Sequence, residues 1–595
     1  MTTPFHRFPR SSALHLRPSA FPGFLFASLL AASTVAVAQL RPSQPEPPSG
    51  WNAKQVVHAP HYMVAAAHPL AVRAGVRMLE QGGNAIDAMV ATQLVLNLVE
   101  PSSSGLGGGA FLLYWDAKAK RIEALDGRET APAGATPDQF LNPDGTPMPF
   151  LAARVGGRSV GTPGTPRLLE TAHARHGRLA WKKLFEPAIE VAEQGFPMSP
   201  RFHKLIAEDK GLADEPAARA YFFDERGEPR AVGAIIRNPA FAATLRAIAA
   251  RGADAFYTGD IASGMVAAVH AHRNPGTLSM EDLAGYRVRT VEPLCGAYRA
   301  WKLCGMPPSS SGGIAVLQIL GELERFDVAH LGPGTVETVH LVTEAERLAF
   351  ADRDRWVADD RFVDVPVQGL VDPAYVRSRS RLIDTGRAMG KAAAGTPPGA
   401  QAAYADDAME EIPGTTQIAI VDRDGNAVSM TTTIESFFGS RIMVHGFLLN
   451  NEITDFNFRP VDNGAPVANR VAPGKRPRSS MAPFLVFDRE GGLEMAIGSP
   501  GGSLIIGYVA KTLVGILDWG LDVQQAIDLP NFDSRNGPTE LERGTELEAL
   551  APALKAMGHA VSVIDMTSGV QGIRRVKGGL EGGADPRREG VAIGG

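Results

Sequence analysis

One stretch, residues 411 to 436, constrains the fold of this chain more than any other: EIPGTTQIAIVDRDGNAVSMTTTIES. Gln417 to Val421 has the pattern of a half-buried strand, and Asp424-Gly425 is a hairpin turn signal. Ala427 to Ile434 then reads as a second strand. The stretch therefore predicts a β-hairpin that follows a long run without periodicity.

The register of this hairpin decides which threonines meet at its open end. A two-residue turn would place Thr416 opposite Thr433, whereas a one-residue bulge would place Thr415 there. A threonine hydroxyl becomes a good nucleophile when the α-amine of the same residue takes its proton, which requires an N-terminal threonine. Cutting the Gly414–Thr415 bond would create that amine, and glycine tolerates the distorted backbone that such a cut needs. The alternative is that Thr415 is a turn residue with a solvated hydroxyl and no catalytic role.

Bulk composition leaves the class of protein open but excludes some partners. The length of 595 residues allows several domains or one large layered domain. Hydrophobic residues make up 44% and charged residues 21%, which is ordinary for a globular protein, and the net charge of -5 argues against a nucleic-acid partner. The sequence contains no cluster with metal-ligand spacing, so we expect no metal. We also expect no cofactor, since the chain itself can supply the nucleophile, its base and the oxyanion donors.

The first 38 residues have the features of a secretory signal. They contain no Asp or Glu, carry several Arg and His residues, and run apolar from Phe24 to the small-residue pattern Ala36-Val37-Ala38. The apolar run of about 15 residues is shorter than the roughly 20 needed to span a bilayer, which disfavours the alternative of a membrane anchor. We therefore expect export to the periplasm or medium, with cleavage and without stable membrane insertion.

The rest of the chain predicts alternating helical and strand-rich regions. Residues 68–101 predict two helices separated by Gly82-Gly83-Asn84. The glycine-rich residues 105–109 precede a strand at Ala110 to Trp115, whereas a phosphate-binding loop would follow one. Segments 165–290 and 335–385 are mostly helical, residues 385–411 read as a linker or surface loop, and strands return after it. This order suits two sheets between layers of helices.

Cys295 and Cys304 are the only cysteines. The intervening GAYRAWKL could fold back and bring them opposite one another, so that an oxidising compartment would permit a disulfide. Two unpaired strand thiols are the alternative.

Several longer motifs resemble those of the γ-glutamyltransferase (γ-glutamyltranspeptidase) family. They are GGNAIDAMVATQLVLNLVEPSSSGLGGG, GRETAP, the hairpin, LLNNEITDF, GKRPRSSM and GSPGGS, and the similarity runs from about His58 to the C-terminal GGADPRREG. The resemblance implies the α+β fold of the N-terminal nucleophile hydrolases, a four-layer αββα sandwich. It also implies autocleavage into a large subunit, residues 39–414, and a small catalytic subunit, residues 415–595, that remain together as a heterodimer.

The same resemblance implies four catalytic residues. Thr415 matches the nucleophile, whose α-amine would act as base and proton shuttle. Thr433 matches the threonine that hydrogen bonds to it. Gly501 and Gly502 match the oxyanion hole, where glycine lets backbone N–H groups approach the oxyanion closely.

Substrate recognition is implied at six further positions. Arg128 matches an arginine that binds an α-carboxylate, since its planar fork suits two oxygens, and Ser479 and Ser480 match a serine pair that assists it. The acidic positions that hold an α-ammonium are matched by Glu435, Glu452 and Asp455.

Together these matches imply an enzyme that cleaves γ-glutamyl amides such as glutathione and passes the acyl group to water, an amino acid or a peptide. A glutaryl or cephalosporin acylase of the same family and a non-catalytic exported binding protein are the alternatives.

Two departures from the family pattern bear on the site. Residues 456–478, which correspond to the lid region, contain no tyrosine, and position 435 is Glu where some members carry Asn. The balance between hydrolysis and transfer stays open.

Overall fold

The computed structural model describes residues 50–401, 403–407, 409 and 411–595, and these belong to one compact unit. The predicted signal, residues 1–38, lies outside the described residues. Among the residues searched, no helix is both long enough and apolar enough to cross a membrane.

Two seven-stranded antiparallel sheets form the centre of the fold. Sheet 1 contains the hairpin predicted from the sequence, with the strand order Val591–Gly594, Met63–Ala66, Thr416–Val421, Ala427–Thr433, Gly109–Asp116, Arg121–Gly127 and Arg289–Val291. Sheet 2 has the order Val57–Ala59, Gly579–Ala584, Gln571–Val576, Leu493–Gly498, Phe484–Phe487, Trp301–Gly305 and Leu294–Tyr298.

Helices cover the outer face of each sheet. Pro69–Glu80 and Ala85–Val99 lie on sheet 1, and Gly312–Leu323, Val336–Trp356, Ile505–Leu517 and Val523–Asp528 lie on the side of sheet 2. The other α-helices are Phe150–Arg154, Thr165–His176, Glu186–Gln194, Pro200–Glu208, Pro216–Phe222, Pro239–Arg251, Asp254–Tyr257, Gly259–Ala271, Met280–Gly285, Val328–Leu331, Val367–Leu370, Pro373–Ser380 and Ala551–Ala556. The predicted four-layer αββα sandwich is confirmed.

Short strands complete the structure. Two-stranded pairs form between Phe196–Pro197 and Ile235–Ile236, Met443–Val444 and Phe447–Leu448, and Val461–Asp462 and Ala465–Pro466. A three-stranded sheet contains Phe532–Asp533, Thr539–Glu542 and Val561–Ile564. The predicted linker, as far as it is described, has neither helix nor ladder strand, in agreement with its composition.

The strand Thr416–Val421 is buried on both faces, so the prediction of a half-buried strand was wrong. Ile418 and Ile420 pack in the cluster under the helices of sheet 1, while Ala419 and Val421 belong to the cluster between the sheets. This division follows the two-residue side-chain period of a strand. A central strand of a sandwich is covered on both sides, which the local pattern could not indicate.

Two other local predictions are confirmed, and one choice that the sequence left open is decided. The two helices near the start of the described chain meet at Asn84, whose side chain accepts from the backbone N–H groups of Ile86 and Asp87 and completes a capping box. The strand after the glycine-rich loop spans Gly109–Asp116. Cys295 and Cys304 form a disulfide across neighbouring strands of sheet 2, which settles the two alternatives.

Candidate active site

Thr415 lies immediately before the central strand of sheet 1 and has a φ of 91°, in the left-handed region that is unfavourable for a β-branched residue. Its hydroxyl donates a hydrogen bond to Thr433 Oγ1 over 3.1 Å. Its backbone N–H donates to the carbonyl of Ser103, which lies before the glycine-rich loop, over 3.2 Å. Contacts from two directions therefore hold the threonine in a strained backbone conformation.

The register explains this pairing. The ladder pairs Thr416 with Thr432, so Thr415 lies opposite Thr433, which is the bulged alternative of the sequence prediction. Thr433 Oγ1 also accepts from the backbone N–H of Glu435 over 2.8 Å. One hydroxyl oxygen thus orients both Thr415 and the chain that follows the second strand.

Gly414 can only be a glycine. A Cβ at this position would lie 1.7 Å from the carbonyl oxygen of Glu435, so any side chain would force the two chain segments apart. The bond between Gly414 and Thr415 therefore lies directly beside the backbone of Glu435.

A small cavity opens beside Thr415. It is lined by most of the residues implied by the family resemblance, together with Glu411, Ile412, Met481 and Ile505: Arg128, Thr415, Thr433, Glu435, Glu452, Asp455, Ser479, Ser480 and Gly502. Gly501 adjoins this lining, and the positive φ values of Gly501 and Gly502, 139° and 59°, form the turn before the helix Ile505–Leu517. The structure thus gathers the implied residues around one space.

The side chain of Arg128 is 1% exposed and lies at the centre of a charged network. Its guanidinium donates to the carboxylates of Glu452 and Asp455. It also donates to the backbone carbonyls of Pro477, at 3.3 Å, and Arg478, at 2.9 Å. The arginine implied for a carboxylate and two of the acids implied for an ammonium are therefore in direct contact rather than on separate sides of the cavity.

Burial controls the protonation of these acids. It raises the pKa of Asp455 to about 6, although the charge of Arg128 opposes the shift. Burial also raises the pKa of Glu435 and of Glu452 well above the ordinary value. Neighbouring Glu129 is fully buried, and its pKa is raised to about 7 by the same cause. Asp455 in the cavity lining therefore changes charge at about pH 6, and Glu129 changes charge at about pH 7.

The two serines have different partners. Ser479 Oγ accepts from the N–H of Met481 over 3.2 Å, and its carbonyl accepts from the N–H and the hydroxyl of Ser311, both at 2.7 Å. Ser480 Oγ accepts from Arg353 Nη2 over 2.7 Å. In the described chain Arg128 contacts backbone carbonyls beside the serines, so their assistance to it is indirect.

Sequence reasoning missed two arginines and one acid at this site. Arg353 lies near the end of the helix Val336–Trp356, and Arg478 precedes Ser479. Both contact Glu411, which lies four residues before Thr415 in the segment interpreted as the end of a linker. No local signal distinguished Arg353, because the same helix carries several other buried charged residues: Glu344, Glu346, Arg347 and Asp352.

The segment 456–478 is packed against the body of the protein. Phe456, Phe458 and Val471 are buried, and the ring of Phe458 stacks on that of Phe140 with 4.5 Å between centroids. Within the described ranges, the lining of the cavity includes none of residues 456–478. The segment therefore supports the rim and leaves the lining to other elements.

A separate group of possible metal ligands, His340, Glu344 and His559, lies elsewhere in the structure, with ligand atoms within 4.8 Å of one another. The two imidazoles hydrogen bond to each other over 2.7 Å, and Arg347 pairs with Glu344. Each of the three side chains therefore has a polar partner within the protein. It contributes nothing to the cavity lining.

A four-layer αββα sandwich that carries a threonine at the end of a central strand, facing a cavity, defines the class of N-terminal nucleophile hydrolases. The model of the Gamma-glutamyltranspeptidase family matches residues 71–595, and the chain belongs to this family. Its members include relatives named as enzymes.

The relatives cover almost the whole chain. The glutathione hydrolase proenzyme of Bacillus subtilis (strain 168) is 38% identical, over 92% of this chain and 94% of that protein. The glutathione hydrolase proenzyme of Escherichia coli (strain K12) is 35% identical, over 96% of this chain and 98% of that protein. The crystal structure of a cephalosporin acylase from Bacillus halodurans matches with a TM-score of 0.80 at 29% identity, covering 91% of this chain and 97% of that one.

Proposed function

We propose that the protein is an exported, self-processing threonine enzyme that cleaves γ-glutamyl amides such as glutathione. The observation that carries the proposal is the hydrogen bond from the Thr415 hydroxyl to Thr433, beside a cavity that contains a buried arginine and several buried acids. The acyl acceptor is water or the amine of an amino acid or peptide. Residues 1–38 act as the export signal, and the mature protein is periplasmic or secreted.

The first step is cleavage of the chain itself. The Thr415 hydroxyl oxygen attacks the carbonyl carbon of Gly414, the bond from that carbon to the Thr415 nitrogen breaks, and the hydroxyl proton passes to this nitrogen. Water then hydrolyses the resulting ester, which leaves a carboxylate on Gly414 and a free amine and hydroxyl on Thr415. The strained φ of Thr415 and the hydrogen bond that orients its hydroxyl support this step.

Catalysis uses the new amine as base. It takes the proton of the Thr415 hydroxyl, whose oxygen attacks the γ-carbonyl carbon of the donor. Backbone N–H groups of Gly501 and Gly502 stabilise the tetrahedral oxyanion, and loss of one such donor costs about 10²–10³ in rate. The leaving amine takes the proton from the α-ammonium of Thr415. Water or an acceptor amine then releases the γ-glutamyl group from the ester.

The charges of the cavity match the two ends of a γ-glutamyl group. An α-carboxylate suits Arg128 and the serine pair, and an α-ammonium suits Glu435, Glu452 and Asp455. Binding of both groups exchanges the internal ion pairs of Arg128 for pairs with the substrate. A glutaryl group has no ammonium and would leave desolvated carboxylates without a cationic partner, which disfavours the acylase alternative.

The intact mass of the wild-type protein and of Thr415→Ala tests the proposal. We expect two wild-type fragments, the larger ending at Gly414 and the smaller beginning at Thr415, and one uncut chain from the variant. A wild-type chain that remains whole would favour the non-catalytic binding protein instead. For the processed enzyme, comparing kcat/KM for γ-glutamyl and glutaryl anilides distinguishes a γ-glutamyl enzyme from an acylase. Preference for the glutaryl compound would identify an acylase.

A further inference from the structure

The chain that precedes the proposed cleavage bond occupies part of the cavity. Glu411 and Ile412 line the same space as Thr415 and Ser480. A Cβ on Gly502 would lie 3.1 Å from the carbonyl oxygens of both Glu411 and Ile412. Before cleavage, the segment that contains Glu411 and Ile412 therefore lies against Gly502 of the proposed oxyanion hole. A substrate would have to enter at this place.

The Glu411 side chain binds groups that suit a carboxylate. Arg353 Nη2 donates to Glu411 Oε1, and Arg478 Nε lies 3.7 Å from the same oxygen. The hydroxyl of Ser480 also hydrogen bonds to the Glu411 carboxylate. Ser480 is one of the two serines assigned above to the substrate α-carboxylate. A carboxylate of the chain itself thus contacts part of the predicted substrate subsite.

This carboxylate is held in its charged form. Burial tends to raise the pKa of Glu411, but Arg353 and Arg478 together outweigh burial and keep the pKa below its ordinary value. The two arginines have further partners at Asp354, 2.7 Å from Arg353, and Asp407, 3.1 Å from Arg478. The arginine pair therefore keeps anionic partners when Glu411 moves away, and the subsite survives its departure.

The link from Glu411 to the scissile bond is short and stiff. Only Ile412 and Pro413 lie between Glu411 and Gly414. The proline ring fixes φ of residue 413, and the residue before a proline is itself restricted. Upstream, the N–H of Asp407 donates to the carbonyl of Asp354 over 2.9 Å. Anchoring Glu411 therefore restricts where the carbonyl of Gly414 lies relative to the Thr415 hydroxyl.

We propose that Glu411 is an internal stand-in for the substrate carboxylate, which aligns the Gly414–Thr415 bond for self-cleavage and keeps the cavity closed until that cleavage has taken place. The inference rests on the proposed function, because it presupposes cleavage at this bond. After cleavage the segment ending at Gly414 leaves, and the carboxylate of the γ-glutamyl donor takes its place beside Ser480. Arg353 and Arg478 are then positioning residues for both events.

The test follows processing of Glu411→Ala by intact mass over time, starting from freshly purified full-length protein. We expect processing about 100-fold slower than in the wild type, the loss that misplacement of a reacting group by about 1 Å can produce. Sodium acetate should raise the rate by binding between Arg353 and Arg478, whereas acetamide at the same concentration and ionic strength should not. Asp406→Ala is the matched control, since exposed Asp406 pairs with Arg355 on the same segment, and we expect the wild-type rate.

Each outcome decides the proposal. Wild-type processing by Glu411→Ala, or equal rescue by acetate and acetamide, would overturn it. If Glu411→Ala fails to fold, Glu411→Gln keeps the side-chain volume without the charge, and its processing rate decides instead: a slow rate supports the stand-in and a wild-type rate overturns it. A wild-type protein that never cuts itself would refute the proposed function, whereas a wild type that cuts and a Glu411→Ala that cuts equally fast would refute only this inference.

Discussion

Asp455 connects the two predicted halves of the substrate site at the scale of single residues. Its carboxylate pairs with Arg128, while its protonation is governed mainly by burial. A group of this kind is neutral in acid and becomes charged only above its raised pKa. The protonation of Asp455 therefore changes how strongly the cavity attracts an ammonium.

The pH dependence of γ-glutamyl turnover tests this assignment. The pKa of Asp455 is about 6, so its own attraction for the donor ammonium is lost below that pH and present above it. We expect kcat/KM for a γ-glutamyl anilide to rise through about pH 6. In Asp455→Asn this rise should disappear, and the plateau should fall about 30-fold or more, because Arg128 loses a buried partner.

Two groups that titrate at higher pH than Asp455 provide an internal control for the pH profile of kcat/KM. The pKa of Glu129 is about 7, and an α-amine such as that of Thr415 ordinarily titrates at about 7.7–8.0. Both remain in Asp455→Asn, so its profile should lose the rise at about pH 6 and keep the changes at about pH 7 and above. A variant that keeps the rise at pH 6 would show that another group carries it.

The positions of the site residues could be predicted from the motifs, but their partners could not. The contacts of Arg128 with Glu452 and Asp455 join residues more than 300 positions apart, and no local pattern encodes them. Arg353 and Glu411 were missed for the same reason, since the sequence around each residue does not indicate its distant partner. Long-range ion pairs form when the layers assemble, so only the assembled fold shows them.

At the scale of elements, the hairpin shows how a turn sets the chemistry. The Asp424-Gly425 signal suggested a two-residue turn, but residues 422–426 form a five-residue loop. Asp422 Oδ1 accepts from the N–H groups of Asp424 and Asn426, both at 2.9 Å. This side-chain turn shifts the register by one residue and brings Thr415 opposite Thr433. The sequence left both registers open because the side-chain bonds of an aspartate decide between them.

The glycine-rich loop, residues 105–109, is a second element whose role comes from packing. The structure places it against the second strand of the hairpin, where a Cβ on Gly108 would lie 1.9 Å from the carbonyl oxygen of Thr433. The carbonyl of Gly107 accepts from the side chain of Asn450 over 2.7 Å. The loop therefore supports the site by its lack of side chains, which lets it lie close to the strand that carries Thr433.

Gly108→Ala tests that support. The added methyl group must push Thr433 away, so we expect the free energy of unfolding to fall by about 3 kcal/mol and self-cleavage to slow strongly. Gly285→Ala is the control, because a Cβ there meets no atom within 4 Å. Urea denaturation and intact mass measure the two effects. Equal stability and equal processing in the two variants would contradict a packing role for the loop.

At the scale of the whole molecule, the proposed cut separates the chain without separating the sheets. The strands Thr416–Val421 and Ala427–Thr433 lie between Met63–Ala66 and Gly109–Asp116 in sheet 1. In sheet 2, Phe484–Phe487 pairs with Trp301–Gly305. Each sheet thus contains strands from both sides of the cleavage bond, and the apolar cluster between the sheets also contains residues from both sides.

We therefore expect the two fragments of the processed protein to behave as one folded unit. Separating them would break the backbone hydrogen bonds in the middle of sheet 1 and expose the apolar layer between the sheets. The free energy lost by exposing that layer is large, so loss of one peptide bond should not separate the fragments. Size-exclusion chromatography in native buffer should give one species containing both fragments, which come apart only in denaturant. Thermal unfolding should show one transition, as in uncut Thr415→Ala. Fragments that elute separately without denaturant would mean that the shared sheets do not hold the subunits together.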